Sequence, residues 1–309
     1  MGLITSIAFQ HSPAIQSHAF VVIGTLATSH MDDDFMYQML VAFKTALAQS
    51  KESDTTAVVS MLWCICKVVP ALFPNSKYFT LLFWLAVALL QSSHLAFYVQ
   101  ATSLLRQTLE TLESHKAFSN GSVAEVLLEG RVHLEETLSQ LDQLLGLSFD
   151  TSLTFSFSLA SIIFKGVRHS GLKSGAEAVL RTLLCITVQA NQQSDDAAEG
   201  SLLPDALGYF LALIPLSTSY NSYKRLLQEA HLSCSRTTCD DPMPRIPLGC
   251  IAVDDPNTAL LMTSFVGAML STAQGDDVET QILYTLLADI GALYPDIVSM
   301  AYVFYFYSA

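Results

Sequence analysis

Four potential metal ligands gather in one proline-rich stretch: His231, Cys234, Cys239 and Cys250, in the pattern H-x2-C-x4-C-x10-C. Thiolates and an imidazole nitrogen are what zinc takes, but structural zinc grips paired C-x2-C knuckles, which this spacing lacks. The set is therefore not assigned as a metal site, and whether it binds metal stays open. A second group is basic. Lys165, Arg168, Lys173 and Arg181 lie close together in the chain with His169 between them. On an otherwise acidic molecule they would suit an acidic partner or a lipid head group, or else form a solvated ridge.

Other residues with chemical potential do less. Glu135 and Glu136 are neighbours on a predicted helix, about 100° apart around it, so they cannot face each other across a cleft as an acid/base pair must. His133 reads as an ordinary amphipathic-helix residue. Cys64 and Cys66 stand two apart on a helix and point to different faces, Cys66 into the core and Cys64 towards a neighbouring helix. The trio Asp32, Asp33, Asp34 fans out around a helix start, which suits capping better than metal binding. The chain carries no G-x-x-x-x-G-K-[ST] phosphate loop, no G-x-S-x-G elbow and no H-E-x-x-H pair. No catalytic, cofactor-binding or metal residue is assigned.

Composition narrows the class further. Of 309 residues 51% are hydrophobic and 14% charged, enough for an extended core, and 28 acids against 15 bases give a net charge of −13. Nucleic-acid binders usually show a basic footprint, so a phosphate-backbone ligand is excluded. Six cysteines are too few for a disulfide scaffold and point to a reducing compartment, the cytoplasm, with contact to membranes only through partners. The first residues, MGLITSIAFQHSPAIQ, lack a basic n-region and are interrupted by His11 and Pro13, unlike a secretory signal. Gly2 and Ser6 fit a myristoylation pattern only formally.

The elements that must position these residues are helices. YFTLLFWLAVALLQ at 78–91 is almost uncharged, yet shorter than the roughly 20 apolar residues a membrane span needs. It reads as a helix buried on nearly every side. Over 35–47 the residues Met36, Met39, Leu40, Phe43 and Leu47 fall at helical spacing. The next helix is led in by Asp54, Thr55 and Thr56 and ended by Pro70 and Pro74. Further helices are predicted over 94–114, 122–129, 131–145, 153–167, 172–190, 205–214, 219–231, 258–272 and 277–293. Helix pairs begin near Pro13, Asp54 and Leu95, a recurrence of about 41 residues within the HEAT and armadillo range. HSPAIQSHAFVVIGTL at 11–26 is echoed faintly by HSGLKSGAEAVLRTLL at 169–184. The expected fold is all-α, a HEAT/armadillo-like α-solenoid with an inserted Pro-rich loop, whose units bury their apolar faces by stacking.

Two stretches interrupt that pattern. Residues 191–205 are polar and acidic and read as an exposed loop. Residues 231–257 carry Pro242, Pro244, Pro247 and Pro256 and cannot be helical across their middle. The expected organisation is 1–230 as helical repeats, 231–257 as an irregular linker, and 258–309 as further repeat helices that could move semi-independently. The aromatic end AYVFYFYSA should be covered, in a longer parent, by the next repeat.

IAFQHSPAIQSHAFVVIGTLATS, then DDDFMYQMLVAFKTALAQS, VVPALFPNSKYFTLLFWLAVALLQSS, AFYVQATSLLRQTLETL and FSLASIIFKGVRHS, resembles the helical-repeat region of neurofibromin-type Ras GTPase-activating proteins, which include the fungal inhibitory regulators of Ras. The resemblance is strong over about 7–230 and weaker over DPNTALLMTSFVGAML and ETQILYTLLADIGALYP. Its specific pieces are FWLAVALLQ, the His-Ser-Pro-Ala turn and the Lys-Gly-x-Arg-His turn, in that order.

The resemblance implies an armadillo or HEAT platform that shapes a large, often dimeric particle and positions a catalytic part. In the family, a separate helical domain upstream accelerates GTP hydrolysis by Ras with an arginine finger. That domain and the Sec14-like module are not in this sequence, and no catalytic role passes to Arg106 or Arg225. The expected function is a non-catalytic scaffold segment supporting negative regulation of Ras signalling, with no enzyme activity of its own. Its expected partners are the rest of such a regulator or a second copy. The alternative is a free-standing HEAT-type adaptor that binds a basic partner. Entering the pattern mid-array, the chain is expected to be a fragment, a split gene product or a truncated gene model.

Overall fold

The computed structural model describes residues 13–27, 31–50, 54–92, 94–119, 121–135, 138–140, 143, 149, 151–192, 204–232, 256–273 and 277–297. These form an all-α, solenoid-like fold. No strand occurs among them; Met31 and Leu72 form an isolated bridge, closed by the Met31 N–H donating to the Ala71 carbonyl at 2.8 Å. Two compact units emerge: Met1–Ala117 with Glu129–His133, and Phe118–Leu128 with Leu134–Ala309.

The first unit contains α1 (Pro13–Leu26), α2 (Asp33–Gln49), α3 (Thr56–Val68), α4 (Tyr78–Leu89) and α5 (Leu95–Ser114). Two of these helix boundaries have clear local causes. Asp32 caps α2, its carboxylate accepting the Phe35 N–H at 2.8 Å, and Asp33 and Asp34 occupy the first turn, where the positive helix end favours carboxylates. The capping role expected of this acidic trio is therefore what the structure shows. α3 gives way to a 3-10 turn, Val69–Ala71, at Pro70, whose missing N–H cannot continue the ladder.

Packing follows the alternation of a solenoid: α1 lies on α3 and α3 on α5, while α2 pairs with α3 and α4 with α5. Gly24 lets α1 come down on α3, since a Cβ there would sit 2.6 Å from the Trp63 ring. The apolar run at 78–91 is α4, with Phe79, Leu82, Phe83, Trp84, Ala86 and Val87 all buried. At 12 residues it is about 18 Å long, short of a bilayer core of about 30 Å. Its Trp84 meets Phe83 edge-on, with ring centroids 5.3 Å apart, and the Arg131 guanidinium lies 4.6 Å from the Trp84 ring. Among the described residues no helix is long and apolar enough to cross a membrane.

The second unit contains α6 (Val123–Glu129) up to its last residue, α7 (Ser152–Val167), α8 (Lys173–Gln192), α9 (Pro204–Leu213), α10 (Tyr220–Glu229), α11 (Pro256–Thr272) and α12 (Asp277–Leu293). Reciprocal capping boxes start α7 at Thr151/Thr154 and α10 at Ser219/Ser222. The same alternation recurs: α7 against α9 and α9 against α11, with α8 beside α7 and α9, and α12 beside α11. Gly208 permits a close crossing of α9 on α7, because a Cβ there would fall 2.6 Å from the backbone carbonyl of Ser156. Phe265 of α11 seals the layer edge-on against Phe157 and Phe164 of α7, each with centroids 5.8 Å apart.

Where 131–145 was expected to be a single helix, Val132–Leu134 is a 3-10 turn. Gly130 precedes it, at a spot where a Cβ would lie 2.3 Å from Thr80.

Candidate interaction surface

The basic group sits around the elbow between α7 and α8, and the structure divides it in two. Arg168, the C-cap residue of α7, turns inward. Its guanidinium donates to both carboxylate oxygens of Glu279, at 2.5 and 3.1 Å, and to the Met269 carbonyl at 3.1 Å, and it lies 5.1 Å from the Phe164 ring. The Glu279 side chain is 4% exposed and that of Arg168 20%. Met269 is in the last turn of α11, where its carbonyl also accepts the Thr272 hydroxyl at 3.0 Å, and Glu279 is in the first turn of α12. One planar fork thus joins a helix-end carbonyl and a buried carboxylate, and ties the α11–α12 hairpin to α7.

Arg181, on α8, is also engaged. Its Nε donates to Glu177 at 2.9 Å, one turn away, and its terminal nitrogen pairs with Glu229 of α10. Lys165, His169 and Lys173 remain exposed, and none forms an ion pair with a described residue. Lys165 lies in the last turn of α7. The His169 carbonyl accepts the N–H groups of Leu172 and Lys173, at 2.9 and 3.0 Å, so residues 169–173 complete a helical turn. Lys165, His169 and Lys173 therefore stand at the end of α7, in the turn, and at the start of α8.

The remaining candidates have structural surroundings. Cys64 and Cys66 are both buried and do face apart: Cys64 approaches the Gly24 backbone on α1, and Cys66 donates to the Gln100 carbonyl on α5 at 3.7 Å. Burial pushes both thiols up to about 12, so neither offers a thiolate near neutral pH. His231 takes a left-handed backbone, φ 54°, just past α10. Its N–H donates to the Gln228 carbonyl and that of Leu232 to the Leu227 carbonyl, the two bonds of a Schellman C-cap. Cys234, Cys239 and Cys250 lie outside the described residues, as do Glu136, Gly2, Ser6 and the aromatic end. Among the described residues no three His, Cys, Asp or Glu side chains converge as a metal ion would require.

Arg106 is paired with Glu110 at 3.4 Å on the surface of α5, and Arg225 is exposed on α10. Asp205, in the first turn of α9, is partly buried and its carboxyl is held above the usual range, first by burial and then by the nearby Glu125 charge. Asp205 in turn adds to the burial that pushes the Tyr209 phenol up. Glu279 was not singled out by sequence reasoning. It sits 111 residues from Arg168, and its only local signal is a carboxylate in the first turn of an apolar helix.

Comparison with protein-family models finds no match. Comparison with curated proteins finds the inhibitory regulator protein IRA2 of Saccharomyces cerevisiae, 22% identical over 288 residues, which is 90% of this chain. The chain spans 9% of the length of that relative. Along nine-tenths of its length, then, this all-α chain is similar to a stretch of a fungal inhibitory regulator, the kind of protein its motifs resemble.

Proposed function

We propose that this chain is a non-catalytic helical-repeat segment of a neurofibromin-like Ras regulator, a scaffold that assembles or positions a catalytic part in the cytoplasm. The observation that carries this reading is the collinear similarity to the yeast inhibitory regulator, laid over helices that stack alternately in both units. The outer face of α1 leaves Ile15, Val22 and Leu26 between 40% and 51% exposed, at the spacing of one helical stripe. That suits a helix with a neighbour still to come in a longer array.

Single-turnover GTP hydrolysis by Ras, with and without the purified chain, tests the proposal. The expected rate is unchanged by the chain. Acceleration that follows the chain through purification would overturn the scaffold reading.

A further inference from the structure

We propose that the outer face of α2 is a self-docking surface, on which a second copy of this chain packs its own α2 antiparallel. This deepens the scaffold reading by naming the surface at which two copies meet. The face is marked by Asp34, Tyr37, Val41 and Lys44, all exposed and all on one uninterrupted helix. Their steps of three, four and three residues are the heptad spacing that lines side chains along one seam. The seam is turned away from Met36, Met39 and Phe43, the residues that α2 buries. Tyr37 and Val41, 59% and 47% exposed, form its apolar middle, and Asp34 and Lys44 its two ends. Neither end forms an ion pair with a described residue. The other two members of the acidic trio are occupied: Asp32 caps α2, and Asp33 accepts the Ser76 hydroxyl at 2.6 Å. Asp34 suits the positive helix end, but Lys44 has no such local use. It lies ahead of the last turn of α2, which carries no base, and no acid stands three or four residues from it.

The order of the four residues names the occupant. From either end the seam runs charged, apolar, apolar, charged in the same steps, with opposite signs at its ends. A two-fold axis through the level of Met39 therefore sets Asp34 against Lys44 of the second copy and Tyr37 against Val41 of the second copy, each contact occurring twice. A parallel arrangement would instead set like charges against each other at both ends. The exposed apolar stripe of α1, with Ile15, Val22 and Leu26, offers no comparable signal, because that helix carries no Asp, Glu, Lys or Arg. From Asp34 to Lys44 the seam is about 15 Å long. One helix pair of that length belongs among the weak interfaces, which bury less than about 1,200 Å², so the two copies associate reversibly and at high concentration.

The test is sedimentation equilibrium of the full chain up to about 0.2 mM. Salt is held at about 0.1 M, where a Debye length of about 10 Å screens the net charge but not the pairs in the seam. The mass of the parent should rise towards two chains with concentration. Asp34→Lys and Lys44→Asp each bring like charges together at both ends, and each should weaken self-association about tenfold. Mixing the two single variants opposes unlike charges at both ends again and should restore pairing, which a misfolded variant could not do. The double variant Asp34→Lys/Lys44→Asp should pair with itself as the parent does. A parent that stays monomeric at the highest concentration, self-association that neither single variant weakens, or losses that mixing does not repair would overturn the assignment. No Ras is present, so each of those results leaves the scaffold reading standing, and acceleration of Ras hydrolysis by the chain would leave this interface standing.

Discussion

Removing the Glu279 carboxylate should cost more stability than any surface change in the chain. In Glu279→Ala the guanidinium of Arg168 keeps one partner, the Met269 carbonyl, and loses both carboxylate oxygens while remaining four-fifths buried. Breaking a buried pair from one side typically costs about 3–5 kcal/mol, because the other charge is stranded away from water. The lower end is expected here, since 20% exposure of Arg168 admits some solvent. The converse variant Arg168→Met leaves the more deeply buried Glu279, 4% exposed, and should lose at least as much. The double variant Arg168→Met/Glu279→Leu removes both charges and should recover most of the loss, leaving a deficit of about 1 kcal/mol from the Met269 carbonyl. Urea unfolding followed by circular dichroism supplies the four corners of the cycle. Hydrogen exchange should place the damage in α11 and α12, the helices that Arg168 ties down. Strict additivity of the two single variants, or a Glu279→Ala loss under about 0.5 kcal/mol, would refute the clamp and return Arg168 to the surface group.

Three further outcomes follow from the packing and the titrating groups. Gly208→Ala should lower stability by about 1–3 kcal/mol, read as a fall in Tm, because the added Cβ meets the Ser156 backbone, which cannot rotate away as a side chain could. In the native chain at pH 8, Cys64 and Cys66 should resist an alkylating reagent while exposed Cys185 reacts, with mass spectrometry giving the site of each label. Asp205 has a raised folded-state pKa, so its folded form favours the proton. That contribution is present at low pH and is lost as pH rises through the folded pKa, leaving a destabilising buried charge at neutrality. Asp205→Asn should therefore raise the urea midpoint at pH 7, with the advantage shrinking as pH falls and vanishing below the ordinary Asp value of 3.8. A constant offset across that range would argue against burial of the charge as its cause.

What could be read from the chain and what could not separate by the distance over which a signal acts. α4 was legible because one stretch of 12 residues carries both facts that matter, apolar on every side and too short to span a bilayer. The start of α2 was legible because Asp32 caps a backbone N–H three residues away. Cys64 and Cys66 were legible because a two-residue step on a helix turns side chains to different neighbours, here α1 and α5. The turn at Val132–Leu134 was less so: it follows Gly130, which lies close against Thr80, fifty residues earlier in the chain.

The basic group divides for the same reason. In the chain its five members look alike, and only the acids that come to meet them set them apart. Glu177 lies four residues from Arg181, close enough to be seen, but Glu229 lies 48 away and Glu279 lies 111 from Arg168. Stacked helical units bring such residues together without any local pattern announcing it, since each unit is specified by its own periodicity and the pairing by the order of stacking. A basic residue in a repeat array is therefore a candidate for partner binding only after the helices above and below it have taken the partners they need, and at this elbow they leave Lys165, His169 and Lys173.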